Sequence, residues 1–394
     1  MPNNNLNPFV GLKPYTKETS NFYFGREQEV ENLLQILQKN KLLTLSGDAG
    51  SGKTSLINAS LIPRLKNGFV GQAGKDWSIA YFRPSTKPLS NLAHALNING
   101  VLNIESKPKT TDYKYYSQII KEFEAVGIVE IYKRSEICDK KNLLIVIDQL
   151  EDLFEFREYF ETINSEDDHE LMDLIYRSVS YKNMPIYFLI SIKSKYLTKI
   201  TSYKKLQEIV SPTHYTIQNL DISRINHILE KTFYKHQVKF DPLVIDNFHE
   251  FLNEKISYLP NFQFLLYKLF DAYVINENKK RIINLEDIEQ FGGITNAISK
   301  DLRTFYENLD PEKQNEMSLF FKALTKPQNL SIASNYEKII NISHYVNISM
   351  IELSASIQAL KDTFFDFIEV FEPSISGIKN NDKTILNSES ILNL

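Results

Sequence analysis

The chain has 394 residues, which is too long for one ordinary hydrophobic core, and a soft prior of ~150 residues per domain predicts two or three units. Its 42% hydrophobic and 24% charged residues are typical of a globular protein, and the net charge of -4 gives no overall bias toward nucleic acid or anionic membranes. The single cysteine, Cys138, excludes an intrachain disulfide framework, and neither a signal peptide nor a membrane-spanning apolar run is present. We therefore expect a cytoplasmic protein with no membrane partner.

The first predicted elements are an arm and a helix. Residues 1–21 are rich in Asn and Pro and are predicted to form an extended N-terminal arm. A helix should follow, because apolar residues recur there at helical spacing, namely Val30, Leu33, Leu34 and Leu37. The turn from Phe24 to Arg26 opens this helix, and two interpretations of it stay open. Arg26 is either a solvated residue of an entry turn or part of a group that lies against a nucleotide base.

The strongest functional signal lies in residues 41–61. The apolar run Leu42–Ser46 is predicted to be a strand, and the pattern G-x-x-x-x-G-K-[ST] follows it and opens a helix. Such a loop curls its backbone N–H groups around polyphosphate, with Lys53 as a point charge for the β and γ phosphates and the Thr54 hydroxyl as a Mg²⁺ ligand. The residues predicted to bind the nucleotide here are Gly47, Asp48, Ala49, Gly50, Ser51, Gly52, Lys53, Thr54 and Ser55.

A second acidic group follows another buried strand. After a predicted strand at 77–82 and helices at 89–96 and 113–131, residues 143–147 form an apolar run that ends in Asp148. An acid at the carboxyl end of a parallel strand lies in the crevice where such sheets bind ligands, so Asp148 is predicted to hold Mg²⁺, usually through water. Either Glu151 or Asp152 could orient the attacking water, and Asp152 could equally cap a helix.

A further strand is predicted at 185–192, inserted between the strands that precede Lys53 and Asp148. Lys193 at its tip is a candidate catalytic sensor of the γ-phosphate. It is equally well read as the first member of a solvated basic run, which comprises Lys193, Lys195, Lys199, Lys204 and Lys205. The last strand of the sheet is predicted at 215–220.

Helical periodicity replaces the β-branched runs from Asp221 onward, which predicts a domain boundary near residues 215–222. A break at Leu259-Pro260 and another at Gly292-Gly293 divide this part. The segment from residue 331 to the end has the outline of a winged helix. Because residues 300–394 carry more acidic than basic side chains, we expect it to pack within the protein rather than to bind DNA.

Several segments together resemble the novel STAND NTPases, signal-transducing P-loop ATPases related to AAA+ proteins. They are NPFVGLKPYTKETSNFYFGREQEVENLL, GDAGSGKTSLINASLIPRL, RPSTKPLSNLAHAL, VIDQLEDLFE and FGGITNAISKDLRTFYENLDPEKQ. The resemblance implies an α/β P-loop NTPase domain of the ASCE type with a parallel sheet over residues 22–220, an α-helical domain over 221–293, and a winged-helix-like domain over 294–394.

The resemblance also implies a function and further site residues. Such proteins are switches in signalling or antiphage defence that ADP holds closed, while ATP and a sensed signal open them for self-oligomerisation with a sensor or effector protein partner. Carried over by position, Arg26 contacts the nucleotide, Asp148 the metal, and Pro260 the adenine region. Two departures stand out. Lys193 replaces a sensor arginine and loses its planar fork, and Ser388 stands at the position of a family histidine. The chain could also be a fragment, or one component of a split system.

Two other functions stay open. The first is an AAA+-like ATPase that loads onto nucleic acid, which only the basic run supports. The second is a nucleotide-bound scaffold without turnover, because Lys193 and Gln149 leave catalysis undecided.

Overall fold

The computed structural model describes residues 6–68, 74–85, 87–98, 101–104, 113–154, 165–181, 183–254, 259–276 and 281–311, together with Gln314, Asn315 and Ser318. The chain forms two compact units. We call Tyr15–Asn219 the sheet unit, and the second unit, made of Met1–Pro14 and Leu220–Leu394, the helical unit. Among the described ranges, no helix has the length and apolar character needed to cross a membrane.

The sheet unit is built on five parallel strands in the order β2-β3-β4-β1-β5. The strands are β1 Leu42–Ser46, β2 Trp77–Phe82, β3 Asn142–Ile147, β4 Ile186–Ile192 and β5 His214–Thr216. Strands β1, β3 and β4 are buried almost throughout, which explains why they read as continuous apolar runs. The prediction that β4 lies between β1 and β3 is confirmed, and this order defines the ASCE type of P-loop fold.

Helices flank this sheet and complete its core. They are α1 Glu27–Asn40, α2 (Lys53–Ser55, a π-helical stretch Leu56–Leu61, then Ile62–Lys66), α3 Pro88–Asn97, α4 Lys114–Phe123, α5 Gly127–Arg134, α6 Ser165–Ser180, α7 Leu197–Thr201 and α8 Lys204–Val210. The single helix predicted over 113–131 is therefore divided, with a 3-10 turn at Glu124–Val126. Gly127 lies so near the backbone of Ile120 that a Cβ would come within 2.7 Å of the Ile120 Cα. Close packing across this corner explains the division.

The edge strand β5 is shorter than the predicted range 215–220. Its ladder with β1 ends after Ile217, whose N–H donates to the Ser46 carbonyl at 2.8 Å. The backbone groups of the next residue, Gln218, bond instead to the side chains of Arg26, which precedes α1, and Glu29 in its first turn. Tertiary hydrogen bonds therefore end the strand, which a local pattern could not indicate.

The helical unit has an aromatic core. Its elements are α9 Ile222–Thr232, β6 Lys239–Phe240, α10 Pro242–Glu254, α11 Leu259–Phe270 with a π-helical continuation Asp271–Ile275, β7 Ile282–Ile283, α12 Leu285–Gln290 and α13 Gly293–Glu307. Strands β6 and β7 form a short parallel pair that helical periodicity did not predict. The rings of Phe233, Phe240, Phe248 and Phe262 follow one another with centroids 4.9 to 5.9 Å apart.

Both ends of the helical unit differ from the sequence expectation. The predicted extended arm contributes Phe9, which is 5% exposed and contacts the rings of Phe233 and Phe270. At the other end, helix α13 begins the segment predicted as winged-helix-like, yet its Ile294 and Ala297 belong to the same core. The predicted winged-helix elements beyond residue 318 lie outside the described residues.

Candidate functional site

The loop between β1 and α2 has the backbone geometry of a phosphate-binding loop. Gly50 and Gly52 take positive φ angles of 76° and 88°, a conformation that glycine adopts without steric cost. Gly47 is tightly enclosed, since a Cβ there would lie 2.4 Å from Ile217 Cγ2 and 2.6 Å from Ser51 Oγ. Asp48, Ala49 and Gly50 are exposed at the loop tip. The loop can therefore present its N–H groups to an anion from outside while its base is fixed by packing.

Lys53 folds back over this loop. Its Nζ donates to the carbonyl of Gly47 at 2.7 Å and to that of Asp48 at 2.9 Å. Burial lowers the pKa of Lys53, and the nearby carboxylates of Glu151 and Asp148 oppose that change. The amine is thus held at the mouth of the loop by neutral acceptors, which a phosphate oxygen could replace with a stronger charge-assisted bond.

Asp148 lies immediately after β3 and is fully buried. Its Oδ2 accepts from Thr54 Oγ1 at 3.0 Å and from the Tyr81 hydroxyl at 2.5 Å, and its Oδ1 accepts from Ser191 Oγ. The Ser191 hydroxyl also accepts the backbone N–H of Gln149 at 2.9 Å. The carboxyl ends of β2, β3 and β4 and the start of α2 therefore meet around a single carboxylate.

Glu151 is the second buried acid of the site, with 1% of its surface exposed. It accepts the backbone N–H of Lys193 at 3.1 Å, and the Lys193 Nζ lies 3.9 Å from its other oxygen. Burial raises the pKa of Glu151, while its own backbone N–H and the amines of Lys53 and Lys193 act in the opposite direction. Asp152 is only half-buried, on a turn where its N–H donates to the Gln149 carbonyl.

Arg26 lies at the start of α1 and is 4% exposed, which is far from the solvated arginine of one interpretation. Its Nη1 donates to Glu29 Oε2 at 2.6 Å and to the Gln218 carbonyl, while Glu29 Oε1 accepts the Gln218 N–H at 3.0 Å. The buried ion pair thus holds both backbone groups of Gln218. The Nη2 group has no hydrogen-bond partner within the described ranges.

The remaining predicted residues divide between the two units. Ser55 follows Thr54 in α2, and its hydroxyl accepts the backbone N–H of Tyr15 at 3.1 Å. Pro260 belongs to the helical unit, in the first turn of α11. The basic run does not act as one surface, because Lys193 is half-buried beside Glu151 whereas Lys195, Lys204 and Lys205 are exposed.

Sequence reasoning missed Tyr81, Ser191, Glu29 and Gln218. A signal existed for two of them, since Tyr81 and Ser191 are polar residues near the carboxyl ends of otherwise apolar strands, where ligands of open α/β sheets bind. No local pattern indicates the pairing of Glu29 with Gln218, because the two residues are brought together only by the position of β5 beside β1.

The residues present fit a nucleotide with Mg²⁺. The described part of the chain holds no cluster of three or more His, Cys, Asp or Glu side chains suited to a metal on their own. Mg²⁺ bound with a nucleotide needs fewer protein ligands, because it keeps several waters and takes one or two carboxylates plus phosphate oxygens. Thr54 and Asp148 supply hard oxygen donors, and the buried Ser51 hydroxyl has no partner within the described residues.

The fold and this site define a P-loop NTPase of the ASCE class, with a strand inserted between those that carry the phosphate-binding loop and the buried acid. Residues 8–347 match the model of the family described as Novel STAND NTPase 1, and the chain belongs to that family. Among curated proteins, none matches this chain.

Three solved structures illustrate the wider similarity. ORC1 of Aeropyrum pernix in complex with DNA has 12% identity and a TM-score of 0.44 over 87% of this chain and 84% of its own. ORC2 of the same organism, in ADPNP-ADP complexes, has 12% identity and a TM-score of 0.46 over 86% of this chain and 85% of its own. AMPPCP-bound DnaA of Aquifex aeolicus has 15% identity and a TM-score of 0.38 over 91% of this chain and 95% of its own. At these scores the similarity carries no functional inference.

Proposed function

We propose that the protein binds ATP with Mg²⁺, hydrolyses it slowly, and acts as a nucleotide-controlled switch in signalling or antiphage defence in the cytoplasm. The ADP form is closed, and the ATP form opens and self-oligomerises with a sensor or effector protein partner. The observation that carries the proposal is the convergence of Lys53, Thr54, Asp148 and Glu151 at one edge of the sheet, in a member of a STAND family.

Each side chain has a proposed role at that edge. The Lys53 amine exchanges its carbonyl partners for β and γ phosphate oxygens, and the loop N–H groups from Gly47 to Thr54 hold the same phosphates. The Thr54 hydroxyl and the Asp148 carboxylate hold Mg²⁺, which neutralises charge on the phosphates when it is bound. Glu151 accepts the proton of the attacking water, and Arg26 Nη2 contacts the nucleoside part.

The contacts of Glu151 support slow turnover. Lys193 engages both oxygens of that carboxylate, one through its backbone N–H and the other through its amine. These contacts take up acceptor positions that an attacking water would need, even though burial raises the pKa of the carboxylate. Lys193 must therefore move toward the γ-phosphate before Glu151 is free to act. This exchange would make Lys193 the sensor that links nucleotide state to hydrolysis.

A switch of this kind has an energetic requirement. The two nucleotides must differ in their preference for the open form by ~5.5 kcal/mol to move a population from about 1:99 to 99:1. One charge-assisted hydrogen bond contributes about 1.5–3 kcal/mol, so the γ-phosphate must form several new bonds in the open state. Lys53, Lys193 and the loop N–H groups are the donors available for them.

The test is the double variant Lys53→Ala with Asp148→Ala, compared with Lys205→Ala with Asp173→Ala. The control removes the same two charges from an exposed pair in the sheet unit, 3.4 Å apart. We expect ATP binding and phosphate release to be lost only in the first variant. Unchanged binding and turnover would refute the site assignment. Saturable ATP binding by the wild type without phosphate release, even when oligomerised, would instead indicate a scaffold.

A second candidate function is an ATPase that loads onto nucleic acid, which the exposed lysines Lys195, Lys204 and Lys205 favour. Lys205 already has an acidic neighbour, Asp173, which weakens this surface. DNA-stimulated ATP hydrolysis that falls steeply with salt, and that Lys204→Ala with Lys205→Ala removes, would support this alternative. Hydrolysis that is insensitive to DNA would exclude it.

A further inference from the structure

Three described residues donate hydrogen bonds to the carboxylate of Asp148. A carboxylate has two oxygens and roughly four lone-pair positions. Thr54 and Tyr81 fill both positions of Oδ2, and Ser191 fills one of Oδ1. The threonine belongs to the phosphate-binding loop, whereas Tyr81 comes from β2, a strand to which no nucleotide role has been given. The donors from the described residues therefore leave one acceptor position on Oδ1.

Tyr81 is itself held from two directions. Its neighbour Phe82 accepts the N–H of Asp148 at 3.0 Å, so β2 stays in register with β3 up to the acid itself. Asn58 makes a side-chain hydrogen bond to the Tyr81 hydroxyl. Asn58 lies in the π-helical stretch of α2, and such stretches in otherwise α-helical segments occur frequently at functional sites. The tyrosine thus joins α2, β2 and β3 at the carboxylate.

We propose that Tyr81 is a positioning residue for the metal-binding carboxylate of Asp148. Its hydroxyl donates to Oδ2 and, together with the hydroxyls of Thr54 and Ser191, fixes the orientation in which the carboxylate would act on bound Mg²⁺. The proposal rests on the proposed Mg²⁺-nucleotide function and adds to it a residue from the neighbouring strand.

The experiment compares Tyr81→Phe with Tyr116→Phe. Tyr116 is the matched control, because its buried hydroxyl also donates to an oxygen, the Leu102 carbonyl, at 2.7 Å. Binding of a fluorescent ATP analogue is titrated with Mg²⁺ and repeated in EDTA. We expect Tyr81→Phe to need about 10-fold more Mg²⁺ for the half-maximal increase in nucleotide binding. Removing a residue that orients a metal ligand typically lowers metal affinity by about this factor. Its affinity in EDTA and its thermal unfolding should match those of the control.

Two further variants separate the possible failures. Asp148→Asn should lose the Mg²⁺ response, and Ser191→Ala should shift it in the same direction as Tyr81→Phe. The shift in the double variant should be smaller than the product of the single shifts, since both hydroxyls hold one group. If Asp148→Asn shifts the response but Tyr81→Phe does not, or if Tyr116→Phe shifts it equally, the role of Tyr81 is refuted. If Asp148→Asn has no effect, the proposed metal site is wrong, and the inference falls with it.

Discussion

Replacing Arg26 by methionine should destabilise the sheet unit strongly. Arg26 and Glu29 form an ion pair 2.6 Å long, with 4% and 1% of their surfaces exposed. Removing one partner of a buried pair leaves the other charge desolvated and unpaired, at a cost of about 3–5 kcal/mol in unfolding free energy. At 2–4 °C per kcal/mol for a domain of this size, the unfolding midpoint should fall by roughly 6 to 20 °C.

The measurement is thermal or urea unfolding without nucleotide. Unfolding of the sheet unit is monitored by the fluorescence of Trp77. Arg134→Met is the control, because its pair with Glu130 is 2.9 Å long but lies on the surface. An exposed pair contributes at most about 1 kcal/mol. Glu29→Gln should also destabilise, and the double variant with Arg26→Met should cost less than the sum, since no buried charge is left.

Two results would refute this reasoning. The first is an Arg26→Met variant that unfolds with the same midpoint as Arg134→Met, which would mean that the pair is not buried in solution. The second is strict additivity of Arg26→Met and Glu29→Gln. If stability is unchanged and only nucleotide affinity falls, Arg26 acts on the nucleotide alone, as the family resemblance implies.

Three further predictions concern the site and the helical unit. Glu151→Gln should retain ATP binding but lose hydrolysis. Since burial raises the Glu151 pKa, the wild-type rate should fall with decreasing pH at values above the ordinary glutamate pKa of about 4.3, which a pH–rate profile would show. Gly47→Ala should cost about 1–3 kcal/mol in unfolding free energy and abolish binding of a fluorescent nucleotide, because its Cβ would overlap Ile217 and Ser51, whereas wild-type affinity would contradict the packing. Phe9→Ala should cost about 3–5 kcal/mol in urea unfolding of the helical unit, and a cost below 1 kcal/mol would mean that the arm is not part of its core.

Most elements of the sheet unit could be predicted because their signals are local. Strands β1 and β2 have the predicted bounds, since a short apolar run between polar turns is typical of a buried parallel strand. The inserted position of β4 was also correct, although it was taken from the class of fold rather than from any pattern in the strand itself. The division of the predicted helix 113–131 was missed, because it depends on how closely Gly127 approaches Ile120 in the folded chain.

The candidate site was predictable only in part. Glycine spacing and an acid after an apolar run are features of consecutive residues, so Lys53, Thr54 and Asp148 could be proposed from the sequence. The choice between Glu151 and Asp152 could not be made there, since it depends on which carboxylate faces Lys193 after the strands are assembled. In the structure, Glu151 is the acid that lies beside Lys193.

The amino-acid sequence by itself determined the phosphate-binding loop, the strands that support it and the family of the protein, because each is written in runs of neighbouring residues. Only the tertiary structure decided the partners of the buried polar groups: Tyr81 with Asp148, Arg26 and Glu29 with Gln218, and Phe9 with the aromatic core of the helical unit. These pairs join positions far apart in the chain. They form because strand order and helix packing bring them together, and a buried polar or aromatic group then stabilises the fold only if it finds such a partner.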